Sequence, residues 1–325
     1  MATYLATHAV SASLLAKINE QCPRAAWHDS WLNPKRVVDV GSAAQNAGTI
    51  AHSILLEGST ACVAVIDPND YPTKTTGNIP DGWTNKDIRA ARDRAIVAGK
   101  VPVLIGDMAQ IEAMVDEARA YIESLREREP AIHASFQPGG GHSETTIVWE
   151  EDGGILCRIR PDRISTDGLV IIDYKTSGTV AEPDTWGRMQ MTRMGYNQDA
   201  AFYRRGVKAI FGREPTYVFL VQEQTPPYLC SLVGLNPAWE DLGARKIARG
   251  LMTWSACMRT GAWPGYPARA CYPELPPWEA SRFEELELGG RPGIPYDPAK
   301  LWKKPDTRSE AERVFDALPD GDFRS

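Results

Sequence analysis

Three residues near the middle of the chain, Asp162, Asp173 and Lys175, have the types and spacing to hold a divalent cation and direct a water. Asp162 follows Pro161 in ILCRIRPDRI, and Asp173 and Lys175 close the apolar run LVIIDYK. Strand positions i and i+2 share a face, so Asp173 and Lys175 point the same way. The residues before them suit a buried strand, where isolated charges are costly. The turn signal STDG between the two segments lets them pair, which brings both carboxylates to one end of a sheet. Two bland readings compete. Asp and Lys two apart are often a solvated ion pair of little energetic weight, and Asp after Pro is often a turn residue. The combination of P-D, an intervening strand and D-x-K separates this set from both.

The chemistry it suits is phosphodiester hydrolysis, which places a water in line with a highly charged transition state. One or two Mg²⁺ (or Mn²⁺) ions take oxygen ligands, which Asp162 and Asp173 supply. Such an ion acidifies the water and neutralises phosphoryl charge. Lys175 would orient or deprotonate the water, or stabilise developing charge, and beside a cation its pKa is expected to fall. His52, in the helical segment GTIAHSILLEG, and Glu144, at the head of the strand candidate ETTIVWE, are further candidates. Taken singly, each reads as a packed or solvated residue.

The elements that position these residues change period along the chain. Helices are expected over 10–31, with Leu14, Leu15, Ile18 and Trp27 as core contacts, and over 43–57, closed by Gly58. A short apolar run, CVAVI, and a Pro/Thr/Gly/Asn-rich loop occupy 59–82, and helices follow near 85–98 and 107–128. GGGH (139–142) marks a flexible turn. Strands are then expected over 144–150, 155–164 and 169–175, a long helix over 185–210, strands over 217–223 and 228–235, and a helix over 237–260. Beyond Pro273 the chain is Pro-, Gly- and charge-rich and is expected to be an extended or partly disordered tail. This order predicts a mixed α/β core with a helical N-terminal elaboration.

Composition sets limits rather than a function. Among 325 residues, 43% are hydrophobic and 24% charged, a soluble globular balance. No apolar run has membrane-span length, and the N-terminal stretch lacks a basic n-region, so no membrane association and a cytoplasmic location are expected. The net charge of −6 does not advertise a DNA binder, but charge is uneven. Residues 157–215 hold 10 Lys and Arg against 7 Asp and Glu, whereas 273–325 hold 8 against 12. Bound cations would cancel central acids. The six cysteines contain no C-x-x-C pair and read as free thiols. Cys22, Cys230, Cys257 and Cys271 have the order of an iron–sulfur set, but their spacing is too wide, so no cluster is expected.

The pattern resembles the RecE-like, RecB-type branch of the PD-(D/E)XK superfamily. The matching pieces are GTIAHSILLEG, SETTIVWEEDGGILCRIRPDRI, LVIIDYKTS and GYNQDAAFYRRG, with GAWPGY and LPPW more loosely. The resemblance implies a restriction-endonuclease-like core over 1–275, mainly helical to residue 140 and catalytic over 141–275, followed by a tail over 276–325. It implies His52, Asp162 and Asp173 as metal ligands, with the backbone carbonyl of Tyr174 and, at a second ion or its waters, Glu144. Lys175 would be the catalytic lysine. The family usually has Gln four residues before a Tyr on the next helix. Here Asp199 holds that place before Tyr203, and Gln198 lies one position earlier. Arg204 and Arg205 are candidate phosphate contacts or solvated surface. The implied task is resection of linear double-stranded DNA by a phage-type exonuclease, alongside a single-strand annealing protein and in a homo-oligomeric ring. A structure-specific nuclease, or a non-catalytic DNA-binding module on the same fold, are the alternatives.

Overall fold

A computed structural model describes residues 7–36, 46–74 and 76–289. The chain divides into two compact units, the first ending at Tyr266 and the second beginning at Pro267.

The first unit is organised around a five-stranded sheet of order β3-β6-β7-β8-β9. Its strands are β3 (Gly141–Ser143), β6 (Arg163–Ser165), β7 (Val170–Ser177), β8 (Thr216–Glu223) and β9 (Cys230–Gly234). Only the β7–β8 pair is parallel. Among the described residues two smaller sheets accompany it: the antiparallel hairpin β4 (Ile147–Glu151) and β5 (Ile155–Ile159), and the parallel pair β1 (Val63–Ile66) and β2 (Val101–Leu104).

β7 is central and buried on both faces, as its apolar run requires. Its alternation divides the core. Ile171 joins Phe219, Trp149, Phe202 and Trp254 on one side. Val170, Ile172 and Tyr174 join Ile50, Met114, Val115 and Leu220 on the other. The first side is covered by α1 (Ala12–Glu20), α8 (Tyr196–Phe211) and α9 (Pro237–Thr260); the second by α3 (Asn46–His52), α5 (Ile105–Ser124) and α6 (Pro130–Phe136). Gly243 lets α9 seat against α8, because a Cβ there would lie 2.2 Å from the Asn197 carbonyl oxygen.

Local chemistry explains where the elements depart from expectation. The helix expected over 10–31 breaks before α2 (Pro23–Asp29), since Pro23 holds Cys22 extended at φ −165°. Leu14, Leu15 and Ile18 are buried, but Ala26, not the half-buried Trp27, takes the core place in α2. In the 43–57 helix, residues 43–45 lie outside the described ones. α3 runs into a π-helical turn, Ser53–Glu57, ended by Gly58 at φ +63°. The helix expected near 85–98 is α4 (Lys86–Val97), capped by Asn85. β2 and α6 were not expected. The flexible turn at 139–142 instead leads into β3 at Gly141, where a Cβ would meet two carbonyl oxygens at 2.7 Å. The strand expected over 155–164 splits into β5 and β6 around Pro161 and Asp162. The helix expected over 185–210 is two, α7 (Pro183–Met194) and α8, separated by Gly195 at φ +67°.

Of the tail expected beyond Pro273, residues 290–325 lie outside the described ones, and residues 274–276 have no regular structure. Pro277–Gly289 then forms α10, which corrects that expectation in part. Pro is pre-set for a first helical turn, and Ala280, Glu284, Glu285 and Leu286 are strong helix formers. Among the described residues no helix is long and apolar enough to cross a membrane.

Candidate active site

The site forms where β6 stops pairing with β7. The antiparallel ladder joins Ile164 to Ile171 and Arg163 to Ile172. One step further the strand has ended, and the Asp162 side chain takes over the ladder's role. Its Oδ2 accepts from the Tyr174 backbone N–H at 2.9 Å. The carboxylate is thus held by a main-chain donor on the same strand that carries Asp173 and Lys175.

Asp162 Oδ1 lies 3.2 Å from His52 Nε2, and that nitrogen lies 3.3 Å from Glu144 Oε1. His52 ends α3 where it passes into the π-helical turn, a geometry often found at functional positions. Its ring tilts against Tyr174, with centroids 6.2 Å apart. Glu144 does not open a strand, as its sequence position suggested. It sits between β3 and β4 at φ +54°, a left-handed conformation uncommon for a residue with a side chain. Its N–H donates to the Asp162 carbonyl at 3.2 Å, and its carboxylate pairs with Arg160. His52, Glu144 and Asp162 offer ligand atoms within 4.8 Å of one another.

Asp173 approaches from the neighbouring strand position and is nearly buried. Lys175 Nζ donates to Asp173 Oδ1 at 2.7 Å, and the Tyr217 hydroxyl donates to Oδ2 at 2.9 Å. Asp173 stands outside the His52, Glu144 and Asp162 group, but near enough to Asp162 for each carboxylate to act on the other's titration. Burial, aided by the Asp162 charge and opposed by Lys175, raises the Asp173 pKa. For Asp162, burial also works upward, but the His52 hydrogen bond and charge, then Lys175, outweigh it and lower the pKa. Burial alone would lower Lys175, yet the Asp173 and Asp162 carboxylates win and raise it. The expected downward shift therefore does not arise from protein groups; it would need a cation's charge. Lys175 Nζ also lies 5.3 Å from the centre of the Tyr196 ring.

This donor set fits a divalent cation. Carboxylate oxygens suit Mg²⁺ or Mn²⁺, and an imidazole nitrogen is more at home on Mn²⁺. Two adjacent carboxylates, one with a raised pKa, also form a place where added positive charge is favourable.

The residues on α8 separate. Burial, opposed by the Lys175 charge and aided by Glu20, pushes the Asp199 carboxyl up to about 6. The Tyr203 hydroxyl reaches the Arg160 carbonyl at 3.5 Å, and its ring packs edge-on against Tyr217. Gln198 points elsewhere, its Oε1 accepting from Asn19 of α1 at 2.9 Å. Arg204 is engaged by Glu240 at 2.6 Å and Glu214 at 3.2 Å, and Arg205 by both Glu151 oxygens at 2.5 and 2.6 Å. Both arginines, read as candidate phosphate contacts, are thus committed to carboxylates. All six cysteines are free thiols.

Sequence reasoning missed Arg160 and Tyr217. Arg160, two residues before Asp162, had a signal in R-P-D. Tyr217 had none, because only the β7–β8 register places it beside Asp173.

A mixed sheet flanked by helices, with acidic residues, a lysine and a histidine gathered at one strand end, defines a PD-(D/E)XK-type nuclease fold. Residues 11–274 match the family described as a PDDEXK-like domain of unknown function (DUF3799), and the chain belongs to that family. No curated protein matches the sequence. Among solved structures, one from Eubacterium rectale described as “Putative exonuclease” is 14% identical, with 90% of this chain and 92% of that chain covered and a TM-score of 0.49. The crystal structure of SSO0001 is 13% identical over 63% of this chain and 86% of that chain, with a TM-score of 0.23.

Proposed function

We propose that this protein is a divalent-metal-dependent deoxyribonuclease that degrades linear double-stranded DNA from an end. One observation carries the reading: Asp162, Asp173 and Lys175 converge with His52 and Glu144 in a chain of the PDDEXK-like family. End dependence and duplex DNA rest on the resemblance to RecE-like enzymes, as do an annealing partner and a ring assembly.

His52, Glu144, Asp162 and Asp173, with the Tyr174 carbonyl, would hold the ion or ions. A bound Mg²⁺ or Mn²⁺ supplies positive charge to the phosphoryl oxygens and acidifies the attacking water. Without a cation, its two carboxylate neighbours favour the ammonium form of Lys175, and a bound cation would offset them. Its Nζ would orient the water, take its proton, or stabilise charge on a phosphoryl oxygen. Tyr217, donating to Oδ2, would hold the Asp173 carboxylate in place beside Lys175.

The test is end-labelled linear duplex with Mg²⁺ or Mn²⁺, with and without chelator, beside covalently closed circles. Loss of label only with metal, and only from linear DNA, is the expected result. Cutting of closed circles would mean a structure-specific nuclease instead. Duplex binding without cutting under either metal would leave a non-catalytic module.

A further inference from the structure

A second cleft is tied to the site through α3 and β7. It encloses about 290 Å³, with Trp83 and Tyr228 in its walls and Val103, Ile111 and Met114 as its apolar lining. Asp107, Gln110 and Gln224 add polar groups.

Three links join this cleft to the site. α3 contributes Ala47 to the cleft and, five residues later, His52 to the ligand cluster; a helix rises about 7.5 Å over that interval. Gln224 Nε2 donates to Thr176 Oγ1 at 3.0 Å, and Thr176 directly follows Lys175. Gln222 accepts from the Tyr174 hydroxyl at 2.5 Å, and its own amide donates to the carbonyls of Met114 at 2.7 Å and Tyr228 at 3.1 Å. Tyr174 lies between Asp173 and Lys175, so one buried glutamine ties the reacting strand to two residues of the cleft. Tyr228 itself is held at φ +59°, a conformation bulky residues rarely adopt and one that tends to persist where a site requires it.

We propose that this cleft receives the base of one unpaired nucleotide flanking the phosphate that is cut. The inference rests on the nuclease reading above. The volume is at the small end for ligand sites and suits one ring system, not a stretch of strand. Aromatic rings and an apolar lining match the faces of a base. A carboxylate and two amides supply acceptors and donors for its edge. Among the described lining residues there is no Lys or Arg, and Asp107 repels phosphate, so the cleft selects the base and leaves the backbone to the cation side.

The experiment uses the full-length protein in chelator, where no cutting occurs. The probes are duplexes with short 5′ or 3′ overhangs carrying a single 2-aminopurine, moved one position at a time. We expect fluorescence to fall on binding at one position, and an abasic residue there to weaken binding about tenfold. Trp83→Leu should remove both effects, and Trp83→Tyr, which keeps a flat ring, should retain them. Bound DNA with no quenched position, or an abasic duplex bound as tightly as its parent, overturns the proposal. So does deoxyadenosine binding as tightly as the overhang duplex, which would make the cleft a small-molecule site. Cleavage of unlabelled linear duplex with Mn²⁺ is run in parallel. Cutting without quenching removes the base site alone, whereas quenching without cutting removes the nuclease reading alone.

Discussion

Tyr217 donates its phenolic hydrogen to Asp173 Oδ2 from the adjacent parallel strand, at 2.9 Å. Burial, with the Asp173 charge, pushes the Tyr217 phenol well above its ordinary pKa, so it stays a donor. With Lys175 on the other oxygen, the carboxylate has no rotational freedom left. Groups that orient a metal ligand in this way typically contribute 10–100-fold to metal affinity. Tyr217→Phe keeps the ring and its packing but removes the hydroxyl. We expect the metal concentration for half-maximal cleavage to rise about tenfold, with the fold intact by circular dichroism. An unchanged metal titration would show that Lys175 alone holds Asp173.

Lys175→Met should reduce cleavage by about 10²–10⁴-fold, the range for a positioned proton-handling group. Metal binding, followed by calorimetry, should persist because the ligand atoms remain. Lys175→Arg should not restore activity, since a planar fork does not replace a point ammonium. A Lys175→Met protein that cuts at the parent rate removes the catalytic assignment.

Mn²⁺ should raise the melting temperature of the parent protein, and chelator should reverse the change. At a hundredfold excess over Kd, binding to the folded state contributes about 2.7 kcal/mol. His52→Ala removes one donor of the cluster and should shrink that gain at the same metal concentration. If parent and variant are stabilised equally, His52 is a packing residue and not a ligand.

Away from the site, the Glu151–Arg205 pair makes stability depend on pH. The Arg205 hydrogen bonds, against some burial, lower the Glu151 pKa below its ordinary 4.5. The folded value lies beneath the unfolded one, so the contribution is present above about pH 4.5 and is lost as pH falls through the lowered value. Arg205 is half exposed, so solvent screening limits the pair to about 1 kcal/mol or less. Glu151→Gln should be less stable than the parent to urea at pH 7, and the difference should narrow below pH 4.5. A difference that persists at pH 3 would point to lost packing instead.

Much of this site was legible because its signals are local. Asp162, Asp173 and Lys175 lie on one strand and the segment paired with it, where period-2 alternation fixes which side chains share a face. His52 was a different case. Nothing in a lone helical histidine distinguishes a ligand from a packed residue, and only the family pattern raised it. Glu144 lies beside His52 but not on the strand expected for it, because a positive φ in a residue with a side chain has no sequence signature. Tyr217 and the Gln222 anchor were invisible, since both depend on the pairing of β7 with β8 across the intervening α7 and α8. The turns at Cys22, Pro161 and Gly195 were readable in principle. Each carries a Pro or Gly signal that the longer hydrophobic periodicity concealed.

His52, Glu144 and Asp162 come from widely separated parts of the chain. During translation the ribosome therefore releases the imidazole long before the acidic residues that complete its cluster. Any product cut short before Asp162 has at most a partial cluster and lacks Lys175 altogether. Contacts between such distant segments also form late in folding. On the nuclease reading, a product that stops before Asp162 would therefore lack the means to cut DNA.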